Sequence, residues 1–192
     1  MRVAVYGGSF NPPHVAHVLA CALVLAVEDV ERVLVVPTFR HPFAKPLAPY
    51  DDRVALCSLA FSGLPAVQVS RVEQELGGES RTLRTLEHLA ATRGDWQLRL
   101  VVGADILAEA PRWHGFETIA TLAPLIVLGR AGIGGGEPDR AGPALLPEVS
   151  STKVRESIAR GDWEQAGRLV PRSVLGLIRE RGLYAAPERD AS

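Results

Sequence analysis

Short apolar runs rich in β-branched residues alternate with longer segments of helical character along most of the chain. Residues 2–6 form the first such run, which stops at Gly7-Gly8. The segment from His14 onward is apolar on most faces and predicts a buried helix. Residues 32–37 (RVLVVP) repeat the strand pattern, residues 51–61 predict a helix capped by Asp51 or Asp52, and residues 67–70 predict another short strand. A helix over 83–92 follows, then strands at 98–102, ending at Gly103, and at 125–128 after Pro124. Residues 150–184 predict helix punctuated by Gly161, Pro171 and Gly182. Strands alternating with helices imply βαβ units, and near-continuous hydrophobic strands imply a parallel sheet covered on both faces. The expected fold is an α/β, doubly wound parallel sheet in one domain over 1–192. Its core is expected to end near residue 184, with a helical C-terminal part and a disordered tail over 185–192.

Composition changes this picture little. The 192 residues carry a formal net charge of −1 with acids and bases interspersed, which argues against a surface built to neutralise nucleic-acid phosphates. Cys21 and Cys57 lie in apolar stretches without metal-ligand spacing and read as small buried hydrophobes in a reducing compartment. Residues 15–27 are apolar except for His17, well short of the ~18 residues that suggest a membrane span. No basic segment precedes them as in a signal peptide. A cytoplasmic protein without membrane contact is expected, and homo-oligomerisation stays open. Only two of the 21 basic residues are lysines, Lys45 and Lys153. An ammonium is a compact point charge and a guanidinium a planar fork, so both positions are worth locating.

In parallel sheets ligands bind outside the carboxyl ends of the strands, where strand order reverses. The loop after the first strand, Gly7-Gly8-Ser9-Phe10-Asn11-Pro12-Pro13, is therefore the first place for chemistry. Glycines let a backbone approach a ligand closely, and the following helix start offers N–H groups and a positive dipole end suited to phosphate. His14 and His17 are three apart and share a face at that end. Each can donate to phosphate oxygens. A pair of internally satisfied histidines is the plain alternative; a metal site would need a further ligand at recognisable spacing. The glycines of residues 131–143 miss the G-x-G-x-x-G spacing and read as a mobile surface loop.

These residues carry a family resemblance. The strand followed by GGSFNPPHVAH resembles the signature of the HxGH-type nucleotidyltransferases, and in particular that of the nicotinate/nicotinamide mononucleotide adenylyltransferases. Gly103-Ala104-Asp105-Ile106-Leu107 followed by Trp113, the segment SRTLRTL from Ser80, and SSTKVR from Ser150 are similar to three further motifs of that family, in the same order. The resemblance implies a Rossmann-like enzyme that transfers AMP from ATP to nicotinate mononucleotide, releasing pyrophosphate. ATP and the mononucleotide would be its partners, with Mg²⁺ delivered on ATP and no dedicated metal ligands.

The resemblance also implies roles. His14, His17, Arg155 and Lys45 would be catalytic. Gly7, Gly8, Ser9, Phe10, His17, Gly103, Asp105, Ser151, Thr152 and Arg155 would bind ATP, with Asp105 on ribose hydroxyls and Arg155 on the β- and γ-phosphates. Ser9, Lys45, Arg81, Thr82 and Trp113 would bind the pyridine mononucleotide, Trp113 by stacking on its ring. Trp96 and Trp163 read as structural. Three departures stand out. Ala16 replaces a glycine of the HxGH form, Arg81 replaces the usual tyrosine, and His41 cannot be equated with the histidine that precedes the family lysine. Arg81 would favour a carboxylate over an amide on the pyridine. Lys153 sits at an unconstrained motif position. Arg53 also recurs in such sequences, and a solvated helix face accounts for it equally well. Other readings are amide or dual specificity, a related pantetheine-phosphate adenylyltransferase or cytidylyltransferase, and a non-catalytic nucleotide-binding protein.

Overall fold

A computed structural model describes residues 1–41, 46–104, 113, 115–129 and 146–186. Five strands, β1 (Arg2–Gly8), β2 (Arg32–Pro37), β3 (Val67–Val69), β4 (Gln97–Gly103) and β5 (Leu125–Leu128), form one sheet in the order β3-β2-β1-β4-β5. Every neighbouring pair is parallel. The helices are α1 (Val15–Val27), α2 (Tyr50–Ala60), α3 (Val72–Leu76), α4 (Thr82–Thr92), α5 (Phe116–Leu122), α6 (Ser151–Ala159), α7 (Trp163–Leu169) and α8 (Arg172–Glu180).

Side chains alternate between sheet faces with period two, and both faces are buried. Ala4, Val33, Val35, Val101 and Ile126 belong to one core with Ala20, Cys21, Leu56, Val154, Val174 and Ile178. Val3, Val5, Leu34, Leu100 and Val102 belong to the other with Val72, Leu86, Leu89 and Ile119. Helices α1, α2 and α6–α8 thus cover one face, and α3–α5 the other. That is the doubly wound arrangement expected from strands that are near-continuously apolar.

The structure refines several boundaries. β1 continues through both glycines to Gly8. The cap of α2 is Pro49, not an aspartate; Asp51 and Asp52 sit inside the first turn, paired with Arg71 and Arg181. Helix α3 was not expected, because five residues are too few to show a helical period. Cys21 and Cys57 are buried free thiols, and burial pushes the Cys21 thiol up to about 12. Neither is poised to react. Trp96 and Trp163 pack at the edges of the two cores beneath Arg93 and Arg179. The stretch 131–143 and the tail beyond residue 186 lie outside the described residues. Among the described residues no helix is long and apolar enough to cross a membrane.

Candidate active site

Strand order reverses between β1 and β4, and the register shows how the sheet opens there. β1 pairs with β4 only as far as Val5 opposite Leu100. Beyond that point β1 stays with β2 to Gly8 opposite Pro37, while β4 stays with β5 to Gly103 opposite Leu128. The two central strands therefore part over their last residues, leaving a crevice at their carboxyl ends. Gly7 is exposed on its rim, with no described atom within 4 Å of where a Cβ would stand. Gly103 ends the opposite rim.

Past Gly8 the chain turns through Ser9–Pro13 residues into α1. Phe10 adopts φ 44°, a left-handed backbone that costs a non-glycine residue about 1–2 kcal/mol. Its ring is offset by burial at 2% exposure, edge-on to Tyr6, His17 and Phe61. Phe10 can therefore meet a nucleotide only through its backbone. His14 caps α1, and its backbone N–H donates to Nδ1 of His17 at 3.1 Å. This bond makes Nδ1 an acceptor and places the ring proton of His17 on Nε2. The two rings stack with centroids 3.7 Å apart. His14 is 2% exposed whereas His17 is half-buried, so His17 is the member of the pair that reaches the surface.

The turn is clamped through its carbonyls. Arg53 donates to the Ser9 carbonyl at 2.9 Å, Arg155 to the Asn11 carbonyl at 2.8 Å, and the Ser151 hydroxyl to the Pro12 carbonyl at 2.8 Å. The Asn11 side chain accepts from the Ala48 N–H and the Tyr184 hydroxyl, both at 3.0 Å. The SSTKVR segment at the start of α6 is thus seated directly on the turn, although about 140 residues separate the two in sequence. Ser150 caps α6, accepting from the Lys153 N–H at 3.2 Å. Thr152 is exposed and accepts from Arg155 at 3.3 Å. A guanidinium has five donors, and Arg155 uses two groups here to fix its orientation.

Arg53, Asn11 and Tyr184 are the members of this clamp without a role in the sequence reading. Arg53 corrects one expectation: it is 1% exposed, not on a solvated face, and burial pulls its pKa below the ordinary arginine value. Its position three and four residues before buried Leu56 and Cys57 was the available signal.

A second cluster lies beyond the carboxyl end of β2. Arg81 caps α4, is exposed, and pairs with Glu79 at 3.1 Å; Thr82 is the first helical residue. Trp113 packs against the same core as Leu83, and the Gly115 after it lies on Leu83. A Cβ at Gly115 would stand 2.5 Å from Leu83 Cδ2, and its φ is +71°. The structure thereby brings Trp113 to the face of the sheet that α4 covers. Gly115→Ala should cost about 1–2 kcal/mol for the left-handed backbone alone, and an unchanged denaturant midpoint would contradict this close approach. Glu73 is half-buried and accepts from the Phe39 N–H, the Ser80 hydroxyl and the Thr85 hydroxyl. Burial pushes its carboxyl above the ordinary value, against these hydrogen bonds.

Lys45 and Asp105 lie outside the described residues. Lys153 is exposed and paired with Glu148 at 3.2 Å, and His41 stands half-buried at the edge of the described segment. The described residues contain no group of three or more His, Cys, Asp or Glu side chains able to hold a metal ion.

The chain belongs to the cytidylyltransferase-like family, whose pattern matches residues 5–157. Within it the chain falls among the nicotinate-nucleotide adenylyltransferases. A protein of Anaeromyxobacter dehalogenans named probable nicotinate-nucleotide adenylyltransferase is 47% identical over 186 residues, covering 95% of this chain and 96% of its own. A protein of the same name from Myxococcus xanthus is 42% identical over 185 residues, covering 96% and 95%. The nicotinic acid mononucleotide adenylyltransferase of Plasmodium falciparum, solved in complex with NaAD, superposes with a TM-score of 0.81 over 95% of this chain and 97% of that one. At 16% identity that likeness is one of fold.

Proposed function

We propose that the chain transfers the adenylyl group of ATP to nicotinate mononucleotide, forming nicotinate adenine dinucleotide and pyrophosphate. A phosphate oxygen of the mononucleotide attacks the α-phosphorus of ATP, and the bond from that phosphorus to the bridging oxygen of the β-phosphate breaks. No protein nucleophile is needed. The chain has to position two phosphates and stabilise charge on their oxygens. The observation that supports this reading best is the convergence of Gly7–Ser9 residues, the α1 histidines and the α6 Arg155 on one crevice at the reversal of strand order.

In this reading His17 donates from Nε2 to ATP phosphate oxygens at the α1 N-terminus, with His14 stacked beneath it. Gly7, Gly8, Ser9 and the Phe10 backbone cradle the reacting phosphate. Arg155, with Ser151 and Thr152, meets the β- and γ-phosphates. The roles assigned to Lys45, a charge for a phosphate, and to Gly103 and Asp105, the adenosine ribose, rest on the family motifs. Mg²⁺ enters as the complex of ATP, whose phosphate oxygens supply its ligands and whose charge it partly neutralises. Arg81, Thr82 and Trp113 hold the pyridine ring.

A steady-state assay with ATP and each mononucleotide tests the reading. Dinucleotide and pyrophosphate should form in equal amounts, faster with nicotinate than with nicotinamide mononucleotide. Binding of both substrates without product would favour a nucleotide-binding protein instead. Arg81→Ala should lower the acid-to-amide ratio of kcat/KM. The effect should be modest, because the guanidinium is exposed and shared with Glu79. An unchanged ratio would remove Arg81 from substrate selection.

A further inference from the structure

Two loops that the proposed adenylyl transfer assigns to the pyridine mononucleotide meet at a half-buried junction. Phe39 and Arg40 follow β2, Ser80 and Arg81 lead into α4, and Thr85 lies in its first turn; the two loops share no strand pairing. Both converge on α3, a helix of 5 residues that ends at two left-handed glycines, Gly77 and Gly78. The Ser80 hydroxyl donates to Glu73 and accepts from the N–H groups of Phe39 and Arg40 at 2.9 and 3.2 Å. The Ser80 N–H in turn donates to the Arg40 carbonyl at 2.9 Å. Glu73 Oε2 also accepts from the Phe39 N–H at 2.9 Å, and Oε1 from the Thr85 hydroxyl at 3.4 Å.

An ionised carboxylate accepts on both oxygens at once. Hydrogen bonds to it are stronger than those between neutral groups. Ser80 and Arg40 already join the two loops directly, and a half-buried carboxylate in this position fixes that junction to α3 and, through Thr85, to α4. One loop leads directly to the segment carrying Lys45, and the other carries Arg81 and Thr82. One core joins Val36 at the end of β2 to Val72 of α3 and Leu83 and Leu86 of α4, but Phe39, beyond β2, lies outside both cores.

We propose that Glu73 is a positioning residue for the mononucleotide, holding the loop after β2 and the start of α4 at the spacing that the pyridine nucleotide needs. It touches no substrate itself. The inference rests on the proposed reaction, and it assigns Glu73 to the mononucleotide and not to ATP, whose phosphate turn is clamped separately by Arg53, Arg155 and Ser151.

The test is steady-state kinetics on wild type, Glu73→Ala and Glu73→Gln, varying ATP and nicotinate mononucleotide in turn, with the unfolding temperature of each variant. Glu73→Ala should raise KM for the mononucleotide about tenfold or more, as expected for misplaced binding groups, while KM for ATP changes less than about twofold. Glu73→Gln keeps an acceptor for Phe39 and Ser80 and turns a donor toward the Thr85 hydroxyl, so it should recover most of the loss. If Glu73→Ala does not fold, Ser80→Ala cuts the same network and should give the same split. Equal rises in both KM values, or a lower unfolding temperature with an unchanged mononucleotide KM, would overturn the inference alone. A wild-type protein that adenylylates neither mononucleotide would overturn the reaction, and this inference with it.

Discussion

Replacing His17 by alanine should lower kcat by about 100-fold, the scale on which one donor to a charge-developing oxygen contributes, while the protein stays folded. The expectation follows from the direction of one hydrogen bond. Because His17 Nδ1 accepts from the backbone N–H of His14, the proton sits on Nε2. The stacked His14 ring and the edge of Phe10 then hold the imidazole in place, with centroids 3.7 and 4.9 Å away. Binding energy therefore need not be spent on orienting it. The same bond also caps α1, so a loss of activity after truncation could be confused with fraying of the helix. His17→Glu separates the two. A glutamate at the third helical position reaches back to the cap N–H, and its charge suits the positive helix end. Stability should be kept or raised. Its carboxylate would nonetheless repel the phosphates, and kcat should fall at least as far as in the alanine variant. Turnover in His17→Glu that tracked its stability would reduce His17 to a capping residue.

How far the sequence foretells this site depends on distance along the chain. Strands buried on both faces are near-continuously apolar, interrupted inside only by Arg99, so β1, β2, β4 and β5 are legible as runs. The segment from Gly7 to His17 is legible because one turn joins a strand to a helix and all its parts are local. The early end of β1–β4 pairing is not local; nothing in residues 2–8 or 97–103 states that the strands are neighbours or where they part. The seat of Ser151 and Arg155 on the Pro12 and Asn11 carbonyls is likewise a product of the strand order and the path of the C-terminal helices. The family motif marks both residues, yet it does not say that they hold protein carbonyls. Glu73 was invisible for a different reason. Its helix is too short to have a period, and its partners are Phe39, 34 residues back, and Ser80 and Thr85, 7 and 12 residues on. Arg53 is legible but open to two accounts, and its register with Leu56, Cys57 and Ala60 is what separates them: a charge on that face signals burial with specific partners, because an unpaired buried charge is too costly to keep.

That burial makes Arg53 the site of the second large effect. Its Nε donates to the Ala48 carbonyl and its Nη1 to the Ser9 carbonyl, both at 2.9 Å, with the guanidinium lying over the Tyr50 ring. Methionine would fill much of the same volume but donate to neither oxygen. Each carbonyl left unsatisfied costs about 1–3 kcal/mol. Arg53→Met should therefore destabilise the protein by about 3 kcal/mol, lowering Tm by about 6–12 °C for a domain of this size. The Ser9 carbonyl belongs to the turn that cradles the reacting phosphate, so activity should fall as well, by tenfold or more in kcat/KM for a turn displaced by about 1 Å. Arg53→Lys distinguishes the two consequences. One ammonium has no planar fork to span both carbonyls, so lysine should recover part of the stability through a single bond without restoring the turn. Thermal unfolding and steady-state rates on the same preparations check this. A Tm close to wild type for Arg53→Met would show that other contacts hold Ser9, and full activity in Arg53→Lys would show that charge alone, without the fork, sets the phosphate turn.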